Sequence, residues 1–308
     1  MPTVRVATFN CENLFARYKF ASNVDPSTAT KDGFTVEKTK FTILKEEEKA
    51  LTAKAILTTK ADVVGLQEVE NLEVLRRFVN ERLKSAKYAH SVLIDGPDPR
   101  HIDVAVLSRH PIVHVRSYQH LRAGKESLFS RDCLEVDIDV GGRRLTLFVN
   151  HLKSMLDLDD PDNGRKNTRE RRLAQARAVR KIVEDRFGTP AGDSPWIVLG
   201  DLNDYLTDGE GTTTSLADLV LWDQVDNVID RLPEDERWTH FFDRRNDVRQ
   251  LDYLLLSRSL ASATAAKPVL VRKGLCTKAT QAKDQRFPGV TNKIAASDHC
   301  PFAMDIVL

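Results

Sequence analysis

Residues 196–204 read Trp196-Ile197-Val198-Leu199-Gly200-Asp201-Leu202-Asn203-Asp204, and the fold turns on this stretch. A short apolar run closed by glycine has the pattern of a buried strand. Beyond Gly200, Asp201 and Asn203 stand two residues apart, which in extended chain puts both on one face. A carboxylate and a carboxamide at the mouth of a buried strand can hold a water or a phosphate oxygen. Gly, Asp and Asn also favour turns, and alone the stretch fits a turn as well as a site.

The same pattern recurs outward along the chain. Residues 6–10 run from apolar positions to Asn10, residues 62–68 to Glu68 and residues 147–151 to His151. Asp252 opens the run 251–257, and Ser297-Asp298-His299 precedes a final run at 302–307. Each end has a structural reading. Asn10 suits a turn, and Glu68 the first turn of a following helix, where the dipole favours a carboxylate. His151 suits a hydrogen-bonded structural imidazole, Asp252 a partner for Arg249, and Asp298-His299 a surface turn. Six unrelated turns would not all be furnished with oxygen ligands and histidines. Active sites of layered α/β proteins gather at strand ends.

The frame is consistent with one domain over residues 1–308. Strand-like runs lie near 4–9, 62–67, 88–94, 102–108, 133–139, 144–150, 196–200, 251–257 and 302–307. Helical spacing marks 45–59, 71–84 and 168–187. Gly141-Gly142 joins two strand runs as a hairpin, so the sheets are predicted to be mixed. Residues 17–42, 154–168 and 276–296 read as loops. Hydrophobic residues make up 41% and charged residues 30%, as in an ordinary globular chain. A net charge of +1 leaves anion binding to local patches. No run reaches the roughly 18 apolar residues of a membrane span. No secretory leader precedes the first strand, which suits a cytoplasmic protein unless a leader has been removed. Cys11, Cys133, Cys276 and Cys300 show no CxxC spacing, so reduced, mostly buried thiols are expected rather than a cysteine zinc site.

Taken together, Thr8-Phe9-Asn10, Leu66-Gln67-Glu68, Asn150-His151, Gly200-Asp201-Leu202-Asn203, Leu251-Asp252-Tyr253 and Ser297-Asp298-His299 resemble the motifs of the endonuclease/exonuclease/phosphatase superfamily. That group includes DNase-I-like nucleases, exonuclease-III-like repair enzymes, neutral sphingomyelinases and inositol polyphosphate 5-phosphatases. The motifs stand in family order across residues 8–299. The segments Phe9–Phe15 and Asn150–Ser154 are similar to bacterial nuclease-like members. The resemblance implies an α/β/β/α sandwich of two mixed β-sheets flanked by helices.

It also implies a metal-dependent phosphodiester hydrolase. Mg²⁺ suits carboxylate, carboxamide and water ligands, and the resemblance assigns Glu68 and Asn10 to it, with Asp298 a ligand or near neighbour. Mn²⁺ is expected to substitute. His299 is the candidate general base, with Asp252 fixing its tautomer. Asp201 is expected to orient the water, Asn203 to hold a phosphate oxygen, and His151 to bind the phosphate or protonate the leaving oxygen. The exonuclease-III branch uses other residues for part of that last role, so His151 leans towards the DNase-I-like and sphingomyelinase-like side.

Further expectations concern the surroundings of His151 and the basic residues. Asp103 is offered as an orienting partner for His151, against a pairing with Arg100. Arg131, Lys153, Arg165 and Arg169 are candidate phosphate contacts, with ion pairing as the alternative for Arg131. Arg165 to Arg172 could line a cleft rim and steer a polyanion. A nucleic acid is the expected partner. A small or lipid phosphate substrate is the alternative, disfavoured by the lack of an exposed apolar loop. A non-enzymatic binding protein would have lost at least one motif. No membrane association or obligate protein partner is marked in the sequence.

Overall fold

The β-branched and leucine-rich runs form twelve strands in two sheets, numbered here in chain order. The computed structural model describes residues 1–14, 19–20, 41–42, 46–98, 100, 102–157, 159–206 and 214–308. The first sheet contains β1 (Thr3–Leu14), β2 (Val63–Val69), β3 (His90–Leu93), β4 (Asp103–Ser108), β11 (Val269–Leu270) and β12 (Phe302–Val307), in the order β11-β12-β1-β2-β4-β3. The second contains β5 (Ile112–Arg116), β6 (Cys133–Val140), β7 (Arg143–His151), β8 (Trp196–Asp201), β9 (Val225–Asn227) and β10 (Asp252–Ser257), in the order β9-β10-β8-β7-β6-β5. Each sheet has one parallel pair at its centre, β1 with β2 and β7 with β8, and antiparallel neighbours elsewhere. The Gly141-Gly142 hairpin forms as expected, with Val140 opposite Arg143.

Alternation along the strands builds the layers. Val4, Val6, Leu145, Leu147, Ile197, Leu199, Leu254 and Leu256 share the core between the sheets. The alternate positions Ala7, Phe9, Val64 and Leu66 pack against helices α1 (Glu46–Thr59) and α2 (Leu72–Arg82). Phe148, Trp196, Val198 and Leu255 pack against α3 (Arg169–Phe187) through Ala176, Val179 and Val183. The α/β/β/α sandwich is therefore present, and the run 196–199 is apolar throughout because β8 is buried on both faces.

The sequence reading passed over β5, β9 and β11. All three are short edge strands, and β5 is largely exposed, so their side chains carry no two-faced apolar signal. Of the predicted loops, 276–296 contains no helix or strand, whereas 154–168 includes the short helix Gly164–Asn167. The predicted loop 17–42 lies outside the described residues apart from a two-residue ladder at 19–20 and 41–42. The cysteines are free thiols, Cys11, Cys133 and Cys300 buried and Cys276 half-buried. Among the described residues no helix is long and apolar enough to cross a membrane.

Two close fits in this frame are open to measurement. Gly200 has φ +130°, and a Cβ there would stand 1.9 Å from the Asn150 carbonyl oxygen across the β7–β8 ladder. Left-handed strain and steric overlap each cost about 1–3 kcal/mol, so Gly200→Ala should lower unfolding stability by about 3 kcal/mol or more. Gly141→Ala, with φ +62° but nothing within 4 Å, should cost only about 1 kcal/mol. Equal urea midpoints for the two variants would contradict this account. Asp103, at the start of β4, accepts the Gly96 N–H at 2.9 Å and does not pair with His151. Burial, with Asp95, Asp98 and Asp132 adding, raises its pKa from 3.8 to about 7. The folded protein then keeps this proton between pH 3.8 and about 7, where the unfolded chain has released it. Stability from Asp103 is therefore lost as pH rises through that window, and Asp103→Asn should gain on the wild type across it. A stability difference between the two that does not change with pH would refute this.

Candidate active site

Four predicted residues reach the site by continuation of the rows that form the inter-sheet core. Val4, Val6 and Thr8 lead to Asn10 on β1, Leu145, Leu147 and Val149 to His151 on β7, and Ile197 and Leu199 to Asp201 on β8. On antiparallel β10 the row Leu256–Leu254 ends at Asp252. Strand register sets His151 beside Asp201, and Asp201 beside Asp252. Glu68 is out of phase with its row. Its φ of +62° breaks the alternation of β2 and brings its Oε1 to 3.5 Å from Asn10 Nδ2.

Asp201 is the hub. Its Oδ2 accepts Nδ2–H bonds from Asn10 and Asn203, both at 3.0 Å, and its Oδ1 accepts the Asn203 backbone N–H at 2.9 Å. His151 Nε2 lies 3.5 Å and His299 Nε2 3.8 Å from Oδ2. Burial, with Asp252 adding, pushes the Asp201 pKa up to about 7 against the pull of His299 and Asn10. Asn203 sits at φ +54°, and its other amide hydrogen goes to the Leu152 carbonyl at 3.2 Å. Its donors are thus directed within the protein, at Asp201 above all. This departs from the expected hold on a phosphate oxygen.

The two histidines of the site are tuned in opposite directions. Burial, helped by Arg131 and Arg100, takes the His151 pKa well below the ordinary value and keeps the ring neutral. Its Nε2 faces Asp201 and Glu68, while its buried Nδ1 meets no hydrogen-bond partner among the described residues. The expected orienting carboxylate is therefore not supplied by Asp103. His299 Nδ1 lies 2.7 Å from Asp252 Oδ2. Burial opposes its charge, but Asp252, Asp201 and Asp298 outweigh burial and hold its pKa well above the ordinary value.

Asn10, Glu68 and Asp298, the residues expected to hold a metal ion, all line the cleft. Glu68 is raised by burial and by Asp298. Its neighbour Glu12 is raised to about 8 by burial, Asp298 and Glu68. Carboxylates that resist ionising beside one another form a site that a divalent cation would relieve, and oxygen donors suit Mg²⁺ or Mn²⁺. Asn10, Glu68 and Asp298 therefore fit the group.

The basic candidates are distributed differently from expectation. Arg131 is 2% exposed, and its guanidinium is committed to Asp98 at 3.1 Å and to the Leu152 carbonyl, beneath the cleft. Arg172 is fully buried against Ser215 and Asp204. The Lys153 ammonium bends back to the carbonyls of Ser154 and Leu156. Arg169 pairs with Glu170. Arg165 does line the cleft, held to Asp204 at 2.7 Å and stacked 3.9 Å from the Tyr205 ring. Asp204 faces this framework, accepting from Ser215 and Arg165.

Three contributors escaped the sequence reading. Glu12 lines the cleft and accepts the Asp298 N–H at 2.9 Å. Thr239 Oγ1 accepts the N–H groups of Leu251 and Asp252, fixing the start of β10. His240 Nε2 lies 3.5 Å from Asp298 Oδ2. The run Trp238–Phe242, rich in aromatic and β-branched residues, is the signal for the hairpin of His240–Phe242 with Asp247–Arg249. The cleft encloses about 1360 Å³, and Arg100, Arg165, Arg244, Arg245 and Arg249 stand around its acidic floor.

The sequence model of the Endonuclease/Exonuclease/phosphatase family matches residues 5–291. No curated protein matches the chain by sequence. Among solved structures, the endonuclease/exonuclease/phosphatase from Beutenbergia cavernae DSM 12333 is similar at TM-score 0.64 and 18% identity, covering 100% of this chain and 72% of that one. The human Nocturnin catalytic domain with bound sulfate anion is similar at TM-score 0.60 and 18% identity, covering 100% and 95%. D. rerio TDP2 complexed with single strand DNA product is similar at TM-score 0.57 and 17% identity, covering 99% of each chain. These likenesses speak for the fold. The family match, which spans nearly every motif at the site, says more: the chain belongs to the Endonuclease/Exonuclease/phosphatase family.

Proposed function

We propose that the protein is a Mg²⁺-dependent phosphodiesterase acting on nucleic acid. The family is one of hydrolytic phosphodiesterases and nucleases, and metal-dependent phosphodiester hydrolysis is its general chemistry. The observation that carries the reading is the line Asp252–His299–Asp201, with the His299 Nε2 3.8 Å from Asp201 and its Nδ1 2.7 Å from Asp252. His299 would release its proton more readily beside the charge of a cation at the site; with Nε2 then free, a water between Nε2 and Asp201 gives its proton to His299, and Asp252 stabilises the imidazolium that re-forms. Asp201 orients that water and is itself aimed by Asn10 and Asn203. His151, neutral and facing the same carboxylates, serves a phosphoryl or leaving oxygen through its ring N–H. Glu68, Asn10 and Asp298 would hold the cation, which when bound would neutralise charge on the phosphoryl oxygens.

Nucleic acid is favoured by the rim. Arg244 and Arg245 are exposed at the cleft, with Arg249 and Arg165 flanking Tyr205, a set that suits a repeating anion with stackable bases. The likeness to TDP2 solved with a single strand DNA product supports the same direction.

With Mg²⁺ or Mn²⁺ the protein should cleave plasmid, single-stranded DNA or RNA, and EDTA should abolish this. Asp201→Asn and His299→Ala should each lower kcat by about 100-fold or more while keeping the folded far-UV circular dichroism of the wild type. Undiminished turnover by both would refute the site, and hydrolysis of only a small phosphodiester would refute the substrate. Replacing Arg244 and Arg245 with Ala should raise KM for a polynucleotide and flatten its salt dependence by about two units of log–log slope. An unchanged slope would remove these arginines from the substrate path.

A further inference from the structure

Two histidines and one carboxylate meet on the cleft wall beside the oxygen-rich set. His240 and His299 are bridged through their backbones, and their rings stand 4.6 Å apart. Both present Nε2 to Asp298, His240 at 3.5 Å from Oδ2 and His299 at 3.9 Å from Oδ1. One donor atom of each residue lies within 4.8 Å of the others. The backbone holds the group together, with Phe241 N–H donating to the Asp298 carbonyl at 2.9 Å and Cys300 N–H to Thr239 at 2.7 Å.

An ion pair accounts for one imidazole at Asp298. It does not account for two, which repel when both are protonated. The setting of His299 is informative. Asp252 occupies its Nδ1, which leaves Nε2 for the cluster, and a carboxylate behind an imidazole is the usual orienting partner of a metal-bound histidine. Tetrahedral bonds of about 2.0–2.1 Å place ligand atoms about 3.4 Å apart; the 3.5 Å from His240 to Oδ2 matches this, and a single set of donor atoms within 4.8 Å needs only a small closing of the side chains to reach it. The Asp298 side chain is 45% exposed, so the group is open to the cleft and to a water as fourth ligand.

We propose that His240, His299 and Asp298 form a site for an imidazole-preferring divalent ion, zinc by ligand chemistry, and that its occupation inhibits hydrolysis. Mg²⁺ prefers the oxygen donors of Asn10 and Glu68, whereas imidazoles suit zinc and other late first-row ions, and zinc accepts a site of two imidazoles, a carboxylate and a water. Zinc on His299 Nε2 removes the nitrogen that accepts the proton from water. The inhibition rests on the proposed function above, while the binding does not.

The metal-stripped protein titrated calorimetrically with Zn²⁺ alone should bind an ion that excess Mg²⁺ does not displace. His240→Asn should weaken this binding at least tenfold, and His240→Gln likewise. Co²⁺ used as a probe should give the visible bands of a four-coordinate site in the wild type, a measurement independent of whether a variant folds. In saturating Mg²⁺, Zn²⁺ should inhibit the wild type at concentrations at least tenfold below those needed for His240→Asn. Equal Zn²⁺ affinity in wild type and variant, or absence of Zn²⁺ binding, overturns the site. Zn²⁺ binding lost with His240, in a protein that hydrolyses no phosphodiester, upholds the metal site and counts against the hydrolase reading and the inhibition.

Discussion

A carboxylate with 2% exposure, as Asp201 has, persists only where donors surround it, and that requirement organises the site. The donors arrive from separate parts of the chain. Asn10 comes from the first sheet, Asn203 from the loop after β8, His151 from the neighbouring strand, and His299 from the segment before β12. Hydrogen bonds from Asn10 and Asn203, with the close approach of the two imidazoles, therefore bring both sheets and the segment before β12 to one carboxylate. Gly200 makes the approach possible, because any side chain there would collide with the Asn150 carbonyl. Function and fold share this joint.

The positive charges below the cleft serve the same joint. Arg131 and Asn203 both donate to the carbonyl of Leu152, the residue following His151. Arg172 reaches the carbonyls of Lys153 and Arg165 and stands 3.5 Å from Asp204. Burying a guanidinium is costly unless its donors are satisfied, and here carbonyls of the loop beyond β7, with the side chains of Asp98, Thr168, Asp204 and Ser215, meet most of them, the Arg131 Nε excepted. These arginines hold the loops that follow His151 and Asp201. Exposed arginines at the rim, on the hairpin that also bears His240, face the solvent side of the cleft.

Environment divides the labour of the two histidines. His151 has cations and burial around it, so its ring stays neutral. His299 is equally buried but has carboxylates on several sides, so its charged form is favoured. One imidazole is thereby suited to donating from a neutral ring and the other to accepting and holding a proton, a division of acid and base roles by surroundings alone.

The sequence by itself determined the apolar rows, the residues that end them and the layered fold. Strand periodicity is local, and a polar residue at the end of an apolar row is visible without knowing the partner strand. Asn10, His151, Asp201 and Asp252 were legible for this reason. Tertiary structure alone decided the rest. Glu68 is named by its motif, but that it faces the site follows from a left-handed backbone that breaks the period, and Glu12 and His240 join only through contact with Asp298, which is distant in sequence. Whether an arginine meets substrate or a carbonyl depends on burial, which charge patterning does not record. Arg131 and Arg172 have the same composition signal as Arg244 and Arg245, and packing against long-range neighbours separates them.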